Sequence, residues 1–216
     1  MSPFRIRYQT IEVEDVDFHV RTLRDNQQFS DDDGIASRLG ISSAMWPIFG
    51  VIWASGEVLA NFMSDYEIEG KRILEVGCGI GLASLVLNHR LADITATDYH
   101  PEAEAFLKKN VKLNNGPDIP FFRTAWEDEI SSLGGFDLII GSDLLYDRGT
   151  AEVLSEFIDQ HSKTHCSVII VDPGRGQSAR FSKNMADFGY ALDPDQLFSY
   201  DFLEEPFTGK ILQYTR

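Results

Sequence analysis

A short apolar run, residues 73–76, leads into a turn with glycines at Gly77, Gly79 and Gly81. Glycine has no Cβ, so the chain can turn sharply there and a ligand can approach the backbone. A helical pattern follows, and a helix N-terminus presents free N–H groups to a ligand. Because ligands of open α/β sheets bind at the carboxyl ends of strands, this turn is a candidate ligand site. The alternative is a turn that only packs a helix on a strand.

Acidic residues on either side of this turn indicate the kind of ligand. The run from Glu75 to Gly81 reads E-x-G-x-G-x-G, which differs from the G-x-G-x-x-G of dinucleotide sites. A carboxylate at Glu75 would repel a pyrophosphate and would suit a cationic amino group. Asp98, 21 positions after Gly77, ends the next predicted strand, where a carboxylate can accept both hydroxyls of a ribose. Alternatively, Glu75 is a buried structural acid, and Asp98 caps the helix that starts near Pro101.

The elements that must hold these residues follow from the apolar pattern. The first 25 residues alternate in polarity and predict a hairpin. From residue 71 onward, continuous apolar runs alternate with helical patterns, which is typical of a mostly parallel sheet with helices on both faces. The predicted strands are 73–76, 94–98, 121–125, one within 136–146, 167–173, 197–202 and 210–214; the predicted helices are 53–65, 82–89, 101–114, 150–160 and 177–188.

These elements predict an α/β fold: a Rossmann-like, seven-stranded, mostly parallel sheet with a short N-terminal β-hairpin extension. We expect one domain over residues 1–216, with the extension in 1–44 and the core in 45–216.

Composition excludes several classes of protein. The net charge of −15 argues against a nucleic-acid partner, which needs a basic face, and is compatible with a basic protein partner or with solubility alone. No apolar stretch approaches the roughly 20 residues of a membrane span, and the N-terminus has no apolar signal segment. Two cysteines without metal-site spacing predict neither a disulfide framework nor a metal site, so we expect a cytoplasmic protein.

The glycine-rich pattern followed by Asp98 resembles that of S-adenosylmethionine-dependent, seven-β-strand (class I) methyltransferases, over roughly residues 45–216. Asp143 and Tyr146 stand in a D-x-x-Y arrangement similar to that of the lysine methyltransferase-like group, methyltransferase family 16. Trp53 and Trp126 match tryptophans of that group before the first helix and after strand three.

The resemblance implies S-adenosylmethionine as cofactor, with S-adenosylhomocysteine as product. It implies that the cofactor contacts Trp53, Glu75, Gly77, Cys78, Gly79, Gly81, Asp98, Tyr99, Trp126 and Ser142. The candidate catalytic residues are Asp143 and Tyr146, which would hold a substrate amine beside the methyl group.

The expected reaction is transfer of a methyl group to a nitrogen of a protein side chain, with lysine favoured, by a monomeric enzyme. A lysine ammonium, with an ordinary pKa of about 10.4, must lose a proton before it can attack. A small-molecule N- or O-methyltransferase and a non-catalytic cofactor-binding module are the alternatives. The glycine spacing disfavours a nicotinamide dehydrogenase.

The sequence leaves the roles of three further residues open. Asp128 could accept a hydrogen bond from adenine or be a solvated loop acid. Arg175 could bind a substrate carboxylate or lie in solvent. His100 could touch the ribose, but we expect it at the surface.

Overall fold

The computed structural model describes residues 5–128, 132–146, 148–194 and 198–216. Its strands are β1 (Ile6–Val13), β2 (Val16–Leu23), β3 (Arg72–Val76), β4 (Asp93–Asp98), β5 (Phe121–Arg123), β6 (Phe136–Ser142), β7 (Ser162–Asp172), β8 (Ala191–Leu192) and β9 (Lys210–Thr215). Its α-helices are α1 (Ile35–Arg38), α2 (Ala54–Asp65), α3 (Leu82–His89), α4 (Ala103–Leu113), α5 (Arg148–His161) and α6 (Ser178–Asp187), and a 3₁₀ turn spans Trp46–Gly50.

The central sheet has seven strands in the order β5-β4-β3-β6-β7-β9-β8. The first five strands in that order are parallel to one another, and β9 runs antiparallel to both of its neighbours. The chain goes from β3 outward to β5 and then returns to place β6 on the other side of β3. This reversal opens a crevice at the carboxyl ends of β3 and β6. The predicted α/β class and the mostly parallel, seven-stranded sheet are confirmed.

Helices cover both faces of the sheet because its central strands are apolar on both sides. Ile73 points to a core formed with α2, α3 and α4, while Leu74 and Val76 point to a core formed with α5 and α6. All three side chains are fully buried. Glu75 shares the face of Ile73, so its carboxylate lies under the helix that follows the glycine-rich turn.

The N-terminal hairpin, also predicted, forms a separate two-stranded sheet, and its second strand packs on α4. The backbone N–H groups of His19 and Arg21 donate to the side-chain oxygens of Asn114 and Asn110, at 2.8 and 2.7 Å. Two asparagines one helical turn apart thus satisfy the free edge of β2. The hairpin is thereby anchored to the helix that follows Asp98.

The predicted strand 197–202 is wrong for residues 198–202, and Leu197 lies outside the described residues. β9 pairs with β7 along one edge and with the two-residue β8 at Tyr214 and Thr215 on the other, and residues 198–202 join neither edge. Their aromatic side chains pack on the core instead, and Phe198 contacts Phe62 of α2 with ring centres 5.4 Å apart.

Within the described residues, no helix combines the length and apolar character that a membrane crossing requires.

Candidate functional site

A cavity of about 660 Å³ opens at the carboxyl ends of β3, β4 and β6. This volume is typical of a small-molecule site. Every residue predicted to contact cofactor or substrate, Gly81 excepted, lines it: Trp53, Glu75, Gly77, Cys78, Gly79, Asp98, Tyr99, Trp126, Ser142, Asp143 and Tyr146. The fold therefore brings together residues that are up to 93 positions apart in the chain.

The glycine-rich turn has a backbone that favours glycine at each of its three glycines. Gly77, Gly79 and Gly81 have φ values of 61°, 55° and 78°, in the left-handed region. At Gly79 a Cβ would lie 2.8 Å from the backbone oxygen of Phe49, too close for any side chain. Gly81 precedes α3 and turns the chain into that helix. The glycine-rich turn thus packs directly against the 3₁₀ turn, and the backbone of the glycine-rich turn faces the cavity.

Asp98, at the end of β4, is held by backbone N–H groups. Its two carboxylate oxygens accept hydrogen bonds from Gly79 at 2.8 Å and His100 at 2.7 Å. Burial raises the pKa of Asp98, and these hydrogen bonds act in the opposite direction. Each oxygen keeps a second lone pair for a ligand. The N-cap residue of α4 is Glu102, whose side chain makes no capping hydrogen bond. Asp98 is therefore not the N-cap of that helix.

Glu75 is both a cavity residue and a buried acid. One of its oxygens accepts hydrogen bonds from the backbone N–H of Ser84, at 2.9 Å, and from the Ser84 hydroxyl. Burial raises the pKa of Glu75 to about 7, against the lowering effect of these two hydrogen bonds. A cation near this carboxylate would be favoured, because it would stabilise a charge that burial makes costly.

Aromatic side chains form the walls of the cavity. Trp53 is fixed by its Nε1–H, which donates to the backbone oxygen of Ile48 at 2.9 Å. Trp126, after β5, lines the cavity and packs against the α5 side of the core. The Tyr99 hydroxyl donates to the backbone oxygen of Leu39 at 2.6 Å, which ties the N-terminal segment to the cavity edge.

The expected surface position of His100 is wrong. The imidazole is 5% exposed and stacks on Phe49, with ring centres 3.8 Å apart, while Trp46 contacts its edge. Burial lowers the pKa of His100 to about 3, so the ring is neutral. The aromatic residues of the 3₁₀ turn pack around the His100 side chain and bury it. The position of His100 two residues after Asp98 does not indicate that contact.

Asp143, just after β6, is paired with Arg175, which follows β7. Arg175 donates from Nε and Nη2 to the two carboxylate oxygens of Asp143, at 2.6 and 2.8 Å. The guanidinium carbon also lies 5.3 Å from the ring centre of Tyr146. Desolvation, followed by the nearby charge of Asp143, raises the pKa of Tyr146 to about 12. Arg175 is therefore already paired within the protein, and its guanidinium is neither free to bind a substrate carboxylate nor unpaired in solvent.

The remaining candidates are placed as follows. Ser142 lines the cavity opposite α2, and a Cβ at Gly56 would lie 3.8 Å from its hydroxyl oxygen. Cys78 is buried, and burial raises the pKa of its thiol well above the ordinary value, so it is not a nucleophile. The carboxylate of Asp128 turns back onto its own loop and accepts from the Ala125 N–H at 2.8 Å.

No cluster of histidine, cysteine, aspartate or glutamate side chains in the described part of the chain has the arrangement of a metal site. The chemistry that this cavity offers comes from carboxylates, aromatic faces and backbone N–H groups.

Comparison with known proteins identifies the family. Residues 41–188 match a family model described as lysine methyltransferase. The chain belongs to the lysine methyltransferase family.

Two curated relatives illustrate the range of this family. The electron transfer flavoprotein beta subunit lysine methyltransferase of Danio rerio is 32% identical over 136 residues, which cover 61% of this chain and 52% of that protein. The calmodulin-lysine N-methyltransferase of Arabidopsis thaliana is 29% identical over 150 residues, which cover 63% and 49%. The chain spans about half the length of these relatives.

A solved structure supports the fold assignment. The magnesium protoporphyrin IX methyltransferase of Synechocystis PCC 6803, with bound S-adenosylmethionine, superposes with a TM-score of 0.59 at 19% identity. The match covers 74% of this chain and 77% of that chain. At this identity the likeness establishes a shared fold, which agrees with the strand order of the sheet.

Two contacts of cavity residues did not follow from the sequence. The Ser84 hydrogen bonds to Glu75 and the Arg175 pair with Asp143 join residues 9 and 32 positions apart. A serine on the first turn of the helix facing Glu75 is a signal that could have been used. The arginine could have been found only by knowing that β6 and β7 are neighbours.

Proposed function

We propose that this chain is an S-adenosylmethionine-dependent methyltransferase that methylates a lysine side chain of a protein. One observation carries the proposal: a single cavity contains a carboxylate suited to a ribose, Asp98, and a carboxylate suited to an amine, Asp143. Membership of the lysine methyltransferase family supports it.

The residues of the cavity fit the cofactor. Gly77 and Gly79 line the cavity without side chains, so a ligand can approach their backbone closely. In this proposal Asp98 accepts the ribose hydroxyls. Glu75 attracts the cationic amino group of the methionine part, and the aromatic walls suit an adenine. No group of this set requires a phosphate, which S-adenosylmethionine lacks.

When bound, S-adenosylmethionine supplies a methyl group on a positively charged sulfur. The chain contributes position and electrostatics, with no covalent intermediate. Asp143 orients the acceptor nitrogen. The hydroxyl of Tyr146, which stays protonated because of its raised pKa, donates or accepts a hydrogen bond at the same place. Trp126 and Trp53 keep water from the reacting atoms.

A protein acceptor is favoured by the names of the relatives, which are lysine methyltransferases of protein substrates. The net charge of −15 favours a basic acceptor segment, since opposite charge steers association. We further propose a monomer with one domain. Both cysteines are free and buried, which is compatible with a reducing compartment such as the cytoplasm.

The test is a transfer assay. Purified protein is incubated with S-adenosylmethionine tritiated at the methyl group and an extract of the source organism, and the products are separated by size. We expect label in a discrete protein band, and mass spectrometry should place the methyl group on lysine. The Asp98→Ala variant, because of its weaker cofactor binding, should give less label at the same cofactor concentration.

The other outcomes have distinct meanings. Label confined to the small-molecule fraction would replace the proposal with a metabolite methyltransferase on the same fold. Absence of label, with cofactor binding confirmed by calorimetry, would indicate a binding module without catalysis. Binding of NAD without binding of S-adenosylmethionine would contradict the assignment of the cavity.

A further inference from the structure

The carboxylate of Asp143 already has a cationic partner. Arg175 makes two parallel hydrogen bonds to it, a geometry that gives both energy and orientation. The Asp143 side chain is 10% exposed and lines the cavity, and the 40% exposed side chain of Arg175 pairs with it from the loop after β7. A carboxylate held in this way carries little net attraction for a second cation.

Two adjacent strand ends build the pair. Asp143 has a φ of 54°, in the left-handed region that aspartate tolerates better than most residues, and its N–H donates to the backbone oxygen of Val171 of β7 at 2.8 Å. The N–H of Arg175 donates to the carboxylate of Asp172 at 3.2 Å. Each partner is therefore fixed by a hydrogen bond from its own N–H to the end of β7, which holds the two residues side by side.

An unpaired carboxylate would work against methyl transfer to lysine. It would attract the ammonium and raise the pKa of that ammonium, yet the ammonium has no lone pair with which to attack carbon. A carboxylate neutralised by a guanidinium still accepts a hydrogen bond but no longer favours the charged form. The guanidinium, as a nearby like charge, also disfavours the ammonium.

We propose that Arg175 is a positioning residue that neutralises Asp143, so that the acceptor lysine is held as the free amine. The inference rests on the proposed function, and it adds how the site selects the unprotonated form of the acceptor lysine. Arg175 acts through Asp143 and does not touch the methyl group.

The step balances as follows. The acceptor ammonium first gives one proton to water. The nitrogen lone pair then forms a bond to the methyl carbon while the carbon–sulfur bond breaks and its electron pair stays on sulfur. The products are a methylated ammonium and a neutral thioether, so the positive charge moves from sulfur to nitrogen.

Two other titratable groups act on the pair: Tyr146 on the same loop and Asp172 at the end of β7. Behind them, Asp98 acts on Tyr146, Tyr214 of β9 is close to Asp172, and Glu75 lines the same cavity. Burial raises the pKa of both tyrosines to about 12, which keeps them neutral across the working range. Glu75, with a pKa of about 7, does titrate there, so rates must be measured at saturating cofactor.

The first experiment compares the pH dependence of kcat for wild type, Arg175→Gln and Arg175→Lys, with the acceptor found by the transfer assay. In Arg175→Gln the acidic limb of the profile should move to higher pH by roughly 1–2 units, because Asp143 then holds the ammonium. The KM near neutral pH should fall while kcat falls, and Arg175→Lys should restore the wild-type limb. The exposed Arg180→Gln on α6 is the matched control.

A purely structural role for Arg175 would lower kcat by the same factor at every pH. An unmoved acidic limb in Arg175→Gln, or a limb that Arg175→Lys fails to restore, would therefore overturn the proposal. Failure of the proposed function itself is seen separately, as wild-type protein that labels no protein acceptor.

A second experiment needs no turnover. Ligand-observed NMR measures binding of n-butyltrimethylammonium, a fixed cation, and of n-butanol, a neutral probe, to the S-adenosylhomocysteine complex. We expect Arg175→Gln to bind the cation at least several-fold more tightly than wild type, with the neutral probe unchanged. Equal binding of the cation by both proteins, including no binding by either, would contradict neutralisation of Asp143 by Arg175.

Discussion

The two ends of the cavity are built in different ways. At the glycine-rich end, the cavity is lined by backbone and by two carboxylates, the buried Glu75 and the partly buried Asp98, which accept hydrogen bonds from nearby N–H groups. At the other end, the carboxylate of Asp143 is held by the side chain of Arg175, 32 positions away on the next strand. Among the residues that the structure describes, the acids of the first end have no cationic side chain as partner, and the acid of the second end is already paired.

We infer that the glycine-rich end serves to bind the cofactor and that the end with the Asp143–Arg175 pair serves the reaction. An acid that burial leaves poorly solvated gains from a cationic or hydroxyl-bearing ligand, which suits a cofactor that must stay bound. An acid whose charge is cancelled can orient a nitrogen without fixing a proton on it, which suits an acceptor that must react. Mutations at the glycine-rich end should therefore change stability or cofactor affinity, and mutations at the paired end should change kcat.

The largest expected effect is on the rate, at the paired end. In Asp143→Asn the asparagine tolerates the left-handed backbone and has the same side-chain shape as aspartate. The change removes the charge that holds Arg175. We expect kcat to fall by about 10²–10³-fold, because loss of a positioning contact in the site acts on the transition state. The dissociation constant of the cofactor, measured by calorimetry, should stay within about threefold of wild type.

Asp137→Asn is the control, since it lies at the opposite end of the same strand. If Asp143→Asn instead weakens cofactor binding and leaves kcat intact, the division of the cavity into two ends is wrong.

The next effect is on stability, at the glycine-rich end. Glu75 has a pKa of about 7 in the folded protein and 4.5 ordinarily, so the folded state holds a proton that the unfolded state has lost between these values. The free energy of unfolding should therefore fall as pH rises through this window, by about 3 kcal/mol in total. Glu75→Gln, whose amide oxygen can still accept from Ser84, should not show this loss.

Urea unfolding without cofactor at pH 4 and pH 8 measures the effect. Wild type and Glu75→Gln should be similarly stable at pH 4, and the variant should be more stable at pH 8. Glu156→Gln, at an exposed position of α5, controls for net charge. A variant that is no more stable than wild type at pH 8 would show that Glu75 is well stabilised as an anion without a ligand.

A smaller effect is expected on cofactor affinity. Asp98→Ala removes the proposed ribose acceptor and leaves the N–H groups of Gly79 and His100 without their partner. We expect the cofactor to bind about 10–100-fold more weakly by calorimetry. Asp93→Ala, at the exposed start of the same strand, should bind it normally. Unchanged affinity in Asp98→Ala would leave that carboxylate with a structural role only.

The same contrast explains what the sequence could predict. The glycine-rich end depends on neighbours in the chain: β3, a tight turn and α3 are consecutive, and Asp98 ends the next strand. Periodicity and spacing therefore indicated both the elements and the residues. The paired end depends on β6 and β7 lying side by side, which is a property of the sheet order and not of any local pattern.

The errors have the same origin. Segment 198–202 has the apolar content of a strand, but contacts with the distant α2 take its place in the fold, since Phe198 packs on Phe62 instead of pairing in the sheet. His100 has the sequence position of a loop residue, but the distant Phe49 and Trp46 bury it. Local pattern predicts the type of element, whereas long-range contacts decide which edges and pockets are filled.

The smallest expected effect separates charge from hydrogen bonding at the paired end. Tyr146→Phe keeps the ring beside Arg175 and removes only the hydroxyl. Because the raised pKa of about 12 keeps this hydroxyl protonated, its loss removes one hydrogen bond and no charge. We expect kcat to fall by less than about tenfold, the cost of one neutral hydrogen bond, with no shift of the pH profile. A fall as large as that of Asp143→Asn, or a shifted acidic limb, would mean that Tyr146 takes the proton of the acceptor and that neutralisation of Asp143 alone does not produce the free amine.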